Sequence, residues 1–530
     1  MARIINTSLT DPFTLKGFAR DQCYNGLDVC VTSEILPAML QQLDAVSSAT
    51  YRFERDLQGP VLEMRVRGCL VDQVRRLDVI DQLWEQLDQL EVDLNRIVLD
   101  GVGLAGFNWR SPRDLQRLLY DELSLPTIRR NGRPTIDVHA REELEVYPIA
   151  TQIIRHLNAM IIIGDKISVL RTNIDPDGRI RTSYNIAGTS TGRFSSSLSE
   201  FGTGGNLQNV EESLRSIFIA DPGYKFAKFD AKSGESFCVG AIEWNLFNDG
   251  TYLDACESGD PHTAVARIVW PNLGWTGDLK RDKSIAETPF YRHYTHRFMC
   301  KKIGHGSNYG GKPPTIAQQT KLPTHIIAEF QPKYFAAFPA HRLWQAWVAE
   351  QVRTKGYLTT LTGRRRYFFG RRTESKVVNE AIAFDPQGSL ADIVNRAMLD
   401  LWRRNIAILM FQDHDALTFM YPEADEDRVV PLLQSHLVHP LPLANGRTLR
   451  IPYDCEVGWN KGRYNEQTNT DGLREYHGHD SRRRRPQVGL MDRVFHRGDS
   501  KPRQPPNLSA LGGDIGFSSD TDAEGVGTDK

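Results

Sequence analysis

The reading of this chain turns on three segments: FAKFDAKSGES (residues 226–236), HRFMCKKIGHGSNYGG (296–311) and FQDHDALTF (411–419). In the first and third, an apolar run of strand character carries one carboxylate at or just past its end, Asp230 and Asp415. Between them, Arg297, Lys301, His305 and Tyr309 recur every four residues, which puts them on one face of a helix. Two carboxylates that converge suit a pair of Mg²⁺ ions. Such a pair, about 3.5–4 Å apart, clamps the attacking and leaving oxygens of an in-line phosphoryl transfer. A helix face of Arg and Lys supplies the charge that neutralises a triphosphate. Singly, each feature has a plainer reading, an Asp closing a strand or a basic helix with one solvated face. Their order and company carry the weight.

Around these segments the chain changes texture several times. Leu77, Ile80, Leu83, Leu87, Leu90, Leu94 and Ile97 form the apolar stripe of a long helix. Ser111-Pro112 is a helix-start signal, and residues 136–170 read as helical. From about 180 the sequence is rich in Gly, Ser, Thr and Asn, and reads as turns and short strands. After Asp230 it is helical through about 355. GYLTTLTGRRRYFFG reads as a hairpin, VNEAIAFDPQGSLADIVNRAMLDLW as a helix and IAILMFQDHDALTFMYP as strand–turn–strand. Beyond about 466 apolar periodicity is lost, and RRRR (482–485) opens a tail rich in Pro, Gly and Asp.

The totals exclude several classes. The 530 residues suffice for three or four domains. Net charge is −1, from 65 basic and 66 acidic residues, so any nucleic-acid surface must come from local clustering. Seven cysteines (23, 30, 69, 238, 256, 300, 455) with no CxxC spacing argue against a disulfide scaffold and a zinc site. The N-terminus lacks a secretion signal, and the longest apolar run, near AMIII (159–163), is too short to span a bilayer. The expectation is a cytoplasmic protein without membrane partners.

The three segments resemble motifs A, B and C of the family A DNA polymerases, the DNA polymerase I superfamily, and most closely its bacteriophage branch. Motif A, commonly DYSQIELR, is DAKSGESF here, keeping Asp230 and Glu235. Motif C, VHDE, is Asp413, His414, Asp415 and Ala416, so the second carboxylate is absent. Motif B fits R-xxx-K-xxx-F/Y-G-xx-Y-G through Arg297, Lys301, Gly306, Tyr309 and Gly310, with His305 in place of the aromatic residue. The resemblance implies that Asp230, Asp415 and the backbone carbonyl of Ala231 bind two Mg²⁺, with Mn²⁺ as a substitute. It implies that Arg297, Lys301 and His262 contact the phosphates, and that Lys301 protonates the leaving pyrophosphate. His305 then packs on the incoming sugar, Tyr309 offers a platform to the templating base, and Glu235 excludes a 2′-hydroxyl. Arg193, Asn206, Gln208, Asn209, His414 and Gln387 are the implied DNA contacts, with Arg215 supporting the palm. Asn379 and Ala383 depart from a family Arg and Asn.

The implied architecture is α+β and multidomain, a right-hand polymerase with an antiparallel palm sheet and helical fingers and thumb. Residues 1–45 are expected to be the end of an exonuclease domain, 46–180 the thumb, 181–236 the first part of the palm, and 237–375 the fingers. Residues 376–466 then complete the palm, and 467–530 form a disordered tail. Tyr24 and Asp28 in YNGLD match the last exonuclease motif only, so the chain is not expected to proofread. A separate 3′→5′ exonuclease subunit and other replisome proteins are expected partners beside primer–template DNA and dNTPs. The implied activity is primer-dependent DNA synthesis in phage replication within a bacterial host. A phage-type RNA polymerase and an inactive DNA-binding paralogue are the alternatives.

Overall fold

Tyr224–Ala231 (β1) is the central strand of a five-stranded antiparallel sheet. Its partners are Ile408–Asp413 (β2), Ala416–Pro422 (β3), Tyr453–Gly458 (β4) and Arg474–Glu475 (β5), in the order β2-β3-β1-β4-β5. The alternation of β1 splits it into two faces. Lys225, Ala227, Phe229 and Ala231 point one way, and Phe226, Lys228 and Asp230 the other. Phe229 meets Phe419 edge-on at 6.2 Å between ring centres, and Phe226 meets Phe411 at the same spacing. Phe226, Phe411 and Met420 join the core of a helical layer, so this second face is apolar at one end and charged at the other.

The computed structural model describes residue 14 and residues 16–478. The chain divides into two compact units: Met1–Gln58, Ser233–Ile393 and Leu441–Leu449 in one, and Gly59–Lys232, Val394–Pro440 and Arg450–Lys530 in the other. The second unit holds the sheet. It also holds the long helix read from the leucine stripe, Gln73–Val102, which starts at Asp72, whose side chain accepts from the Arg75 N–H, and stops at Gly103 with φ 72°. Leu83, Leu87, Leu94 and Val98 are buried, and the helix packs on Pro148–Leu170. Leu77, at the head of the stripe, is exposed.

Residues 467–478 do not belong to a structureless tail. Val457 pairs with Arg474 and Glu456 with Glu475, so β5 is the sheet's edge strand. A two-residue edge strand needs no apolar period, which is why its composition gave no sign of it. The rest of the expected tail, including RRRR, lies outside the described residues.

A buried ion pair ties β1 to the helix that covers its first face, Glu426–Leu437. Lys225 Nζ donates to Glu426 Oε2 at 2.8 Å, the Tyr421 hydroxyl donates to the same oxygen at 2.9 Å, and the ammonium lies 4.2 Å from the centre of the Trp459 ring. Both charged side chains are at most 5% exposed. Lys225→Met is expected to cost about 3 kcal/mol, because it leaves the Glu426 carboxylate buried without its cation. Pairing it with Glu426→Leu should return most of that loss, and thermal melts of the single and double variants check both.

The first unit is mostly helical, with a hairpin, Tyr357–Thr359 against Arg365–Tyr367, where the Thr-Gly signal stood. Phe18–Gln42 is one helix with Cys23 as its only buried residue, and Tyr24 and Asp28 are exposed one turn apart. No helix among the described residues is long and apolar enough to cross a membrane. All seven cysteines are free.

Candidate functional site

In the second unit, strand register assembles one row of side chains across the sheet. Asp413 on β2 pairs with Ala416 on β3, Ala416 with Asp230 on β1, and Asp230 with Asp454 on β4. Directly paired residues share a face. Three carboxylates therefore stand in line with Ala416 between the first two. Three lysines balance them, one being Lys232, whose Nζ lies 3.7 Å from Asp454 Oδ1. Lys461 Nζ lies 2.9 Å from Asp413 Oδ2, and Lys228 Nζ lies 3.4 Å from Asp230 Oδ2. Burial pushes the Asp230 carboxyl up from the ordinary range, Lys228 opposes the rise, and Asp454 and Asp413 add to it.

Asp415 sits one residue past the row, in the two-residue loop His414–Asp415 between β2 and β3. Such loops call for positive φ at their first position, and His414 adopts φ 61°. The Ala231 N–H donates to the Asp415 carbonyl at 3.0 Å, which fastens the loop beside the end of β1. The Asp415 N–H turns back to the Asp413 carbonyl at 2.8 Å instead of returning the bond. In an extended strand the N–H and C=O of one residue face the same edge, so the Ala231 carbonyl faces the Asp415 side. Two carboxylates and a carbonyl are the hard oxygen donors that Mg²⁺ takes, and it keeps its other positions for water and phosphate oxygens. The donor set fits the ion on that chemistry. Among the described residues, no three His, Cys, Asp or Glu side chains cluster as a self-sufficient metal cage.

The NLQN segment is latched to the same hairpin. Gln208 Nε2 donates to the Gln412 carbonyl at 3.0 Å and to Gln412 Oε1 at 2.9 Å, and Gln412 Nε2 donates to the His414 carbonyl at 3.0 Å. Asn206 Oδ1 accepts from Ser196 and from the Asn209 N–H. Of the expected DNA contacts, Gln208 is thus buried and engaged within the protein, and Asn206 holds its own loop. Asn209 is exposed, with Oδ1 3.4 Å from His414 Nε2. The His414 imidazole is held below its usual pKa by burial and then by Arg193.

In the first unit, the helix spanning 296–308 is not uniform. It begins with an α turn, His296–Phe298, passes through a π turn, Met299–Gly304, and ends in another α turn, His305–Asn308. A four-residue spacing overshoots a 3.6-residue turn, and the wider π turn takes up the excess. Arg297 is already engaged: its NH2 lies 3.1 Å from Asp260 Oδ1, and Glu287 is 3.7 Å from NH1. Asp260 also caps the helix Pro261–Val269 that carries His262. Burial, then Arg297 and Lys301, push His262 down to about 4, so its imidazole is neutral at pH 7 and donates a hydrogen without charge. Lys301 is exposed.

Glu235 opens the helix Gly234–Phe247 that follows β1. It accepts a hydrogen bond from the Tyr309 hydroxyl, and its Oε2 is 3.7 Å from His305 Nε2. The His305 and Tyr309 rings meet edge-on at 4.9 Å. Beneath this trio, Ser307 and Asn308 are buried and held from three sides. Gln345 Nε2 donates to both of their carbonyls at 2.9 Å, Gln331 Nε2 donates to Ser307 Oγ at 3.0 Å, and the Tyr334 hydroxyl donates to Asn308 Oδ1 at 2.8 Å. Tyr334 in turn contacts His341, which is hydrogen-bonded to Glu243. Gly306 and Gly310 admit neighbouring elements: a Cβ at Gly306 would lie 3.2 Å from Ile316, and Gly310, at φ 72°, packs on Asn379. Gln387 lies on the helix Ser375–Arg404, two residues after Asp385, whose buried carboxyl is pushed up to about 7.

A sequence model of DNA polymerase family A matches residues 77–270 and 283–464, most of the chain. The chain belongs to DNA polymerase family A. Among curated relatives, thermostable DNA polymerase I of Thermus aquaticus is 29% identical over 427 residues, and DNA polymerase I of Pseudomonas aeruginosa is 28% identical over 463 residues. These alignments take in 76% and 82% of this chain but 47% and 46% of those proteins, so the chain spans about half the length of the curated relatives it matches. A solved structure, the polymerase domain of Pol1 from M. smegmatis in complex with DNA primer–template and dNTP, superposes with a TM-score of 0.64 at 24% identity, over 82% of this chain and 75% of that one. It shares the α+β fold.

Set against the family A pattern, the register explains one departure. Ala416 replaces the second carboxylate of motif C, and the residue in register with it on β2 is Asp413. A two-residue hairpin places those positions opposite each other, so the strand–turn–strand reading already contained this signal. Lys228, Asp454, Asp260, Gln331 and Gln345 were not singled out at all. Lys228 and Asp454 follow from register, but the other three come from distant segments that no local pattern links.

Proposed function

We propose that this chain catalyses template-directed, primer-dependent DNA synthesis from dNTPs. The observation that carries the reading is the Ala231 N–H to Asp415 carbonyl bond of 3.0 Å, which holds the motif C loop against the motif A strand end. Asp230, Asp415 and the Ala231 carbonyl are the groups that would hold Mg²⁺, two ions with Mn²⁺ as a substitute. Bound there, the ions supply electrophilic stabilisation of the transferring phosphoryl group. Arg297, kept in place by Asp260, and Lys301 neutralise the β- and γ-phosphates, and neutral His262 donates to a phosphate oxygen. The primer 3′-hydroxyl gives up its proton to solvent as its oxygen attacks the α-phosphorus, the bond from that phosphorus to the bridging oxygen of the pyrophosphate breaks, and Lys301 donates an ammonium proton to the departing pyrophosphate. Glu235, braced by Tyr309, fills the space a 2′-hydroxyl would need. Arg193, Asn209, His414 and Gln387 are the DNA contacts this reading retains. A place in bacteriophage replication, with a separate exonuclease subunit at residues 1–45, rests on motif resemblance alone. The experiment is primer extension with dNTPs against rNTPs. Extension with dNTPs supports the proposal, preference for rNTPs favours the RNA polymerase reading, and no extension favours the inactive paralogue.

His305 touches the two residues that define the sugar pocket, so its identity should tune recognition of the 3′ position. His305→Tyr is expected to raise dideoxynucleotide acceptance relative to dNTP by about tenfold, because a phenol supplies the hydrogen bond of the missing hydroxyl. Unchanged ratios of kcat/KM would remove this position from sugar recognition.

A further inference from the structure

The ammonium of Lys228 stands between two carboxylates. It lies 3.4 Å from Asp230 Oδ2 on its own strand and 3.5 Å from Oε2 of Glu456, its direct cross-strand partner on β4. The Lys228 side chain is 18% exposed, Asp230 47% and Glu456 37%. Asp230 is thus the open end of the pair and Lys228 the enclosed one. Lys228 and Glu456 both line a mostly polar cavity of about 210 Å³, which they share with Glu212, Arg215, Lys461, Arg463 and Leu473. It gives the lysine head room to move along the sheet surface while remaining among polar groups.

We propose that Lys228 is a built-in counter-ion of Asp230 that competes with the catalytic metal, and that Glu456 is the partner to which it retires when the metal binds. This inference rests on the reading of Asp230 as a metal ligand. A cation 3.4 Å from the ligand oxygen neutralises it and repels a divalent ion arriving there. Asp413, the next carboxylate along the row, is neutralised in the same way by Lys461. Asp454, the third, has Lys232 Nζ at 3.7 Å, so the acidic row meets metal with all three of its carboxylates already paired. Free metal is held weakly, and loading is favoured when a triphosphate brings further negative charge. Glu456 sets the balance, since a lysine with a second carboxylate in reach surrenders the first at lower cost.

The test is Mn²⁺ binding to the full chain without DNA or nucleotide, followed by the electron paramagnetic resonance signal of the free ion. Lys228→Met keeps the length of the side chain without its charge, and should tighten binding about tenfold. Glu456→Gln should weaken it about threefold, since the ammonium then has only Asp230. In the double variant the affinity should match Lys228→Met alone, because Glu456 acts through the lysine. Tightening is not a result that misfolding produces. If wild-type binding is too weak to measure, a binding curve in Lys228→Met still supports the proposal. Unchanged or weaker binding in Lys228→Met, or no binding in either protein, overturns it. Asp230→Ala separates the two layers of the argument: if it binds Mn²⁺ as wild type does, Asp230 is not the ligand and the functional reading fails, whereas loss of binding there with no gain in Lys228→Met sinks the competition alone.

Discussion

Alanine at Asp230 or at Asp415 is expected to lower single-turnover nucleotide incorporation by about a thousandfold or more, since a single preorganised electrostatic contact at a reacting centre is already worth 10²–10³. Either change removes one of two carboxylates and leaves the Ala231 carbonyl with half of its donor set. The loop is fastened through the backbone, by the bond from the Ala231 N–H to the Asp415 carbonyl, which both changes leave in place. The hairpin should therefore keep its place, and primer–template affinity should change by no more than about threefold, as expected when a contact to the reacting centre alone is lost. Asp230→Ala carries one additional effect. It leaves Lys228 with Glu456 only, so its stability should differ little from wild type. Rapid-quench measurement at saturating DNA and dNTP reads the chemical step. A rate within tenfold of wild type in either variant would show that the residue is not a metal ligand.

Glu235→Ala should shift the rNTP to dNTP ratio of kcat/KM upward by about a hundredfold, the scale on which a filled pocket rejects an added hydroxyl. The side chain is held by the Tyr309 hydroxyl and flanked by His305, so its volume is fixed where a flexible glutamate would yield. Tyr309→Phe isolates that bracing. It keeps the carboxylate but frees it to move, and the ratio should rise by a smaller step, about fivefold to tenfold, the worth of one hydrogen bond to a charged group. A ratio unaffected by Glu235→Ala would refute the gate. Equal shifts in the two variants would mean that the hydrogen bond, not the carboxylate volume, does the sorting.

The sequence was most legible where function and local periodicity coincide. Strand character around Asp230 and Asp415, the four-residue spacing from Arg297 to Tyr309, and the leucine stripe of Gln73–Val102 each fix an element from a handful of neighbours. It was least legible where long-range pairing decides the outcome. Nothing in the NLQN segment signals that the Gln208 amide pairs with Gln412, 204 residues away. The π turn at Met299–Gly304 is written in no propensity, since Gln331, Gln345 and Tyr334 hold the turn that follows it from other helices. Arg474–Glu475 was lost in a polar stretch because a two-residue edge strand needs neither alternation nor apolar side chains. Lys228 and Asp413 lay in plain sight beside the two key carboxylates, and register gave them meaning only when Asp413, Ala416, Asp230 and Asp454 fell into one row.

Copying of a template into DNA is the central activity proposed for this chain. The direct measurement uses four primer–templates that differ only in the first unpaired template base, each offered one dNTP at a time with Mg²⁺. Each template is expected to direct addition of its complementary deoxynucleotide, and the same nucleotides as rNTPs should be poorly used. Addition of the same nucleotide whatever the template base, or no addition to any of the four, would contradict the proposal.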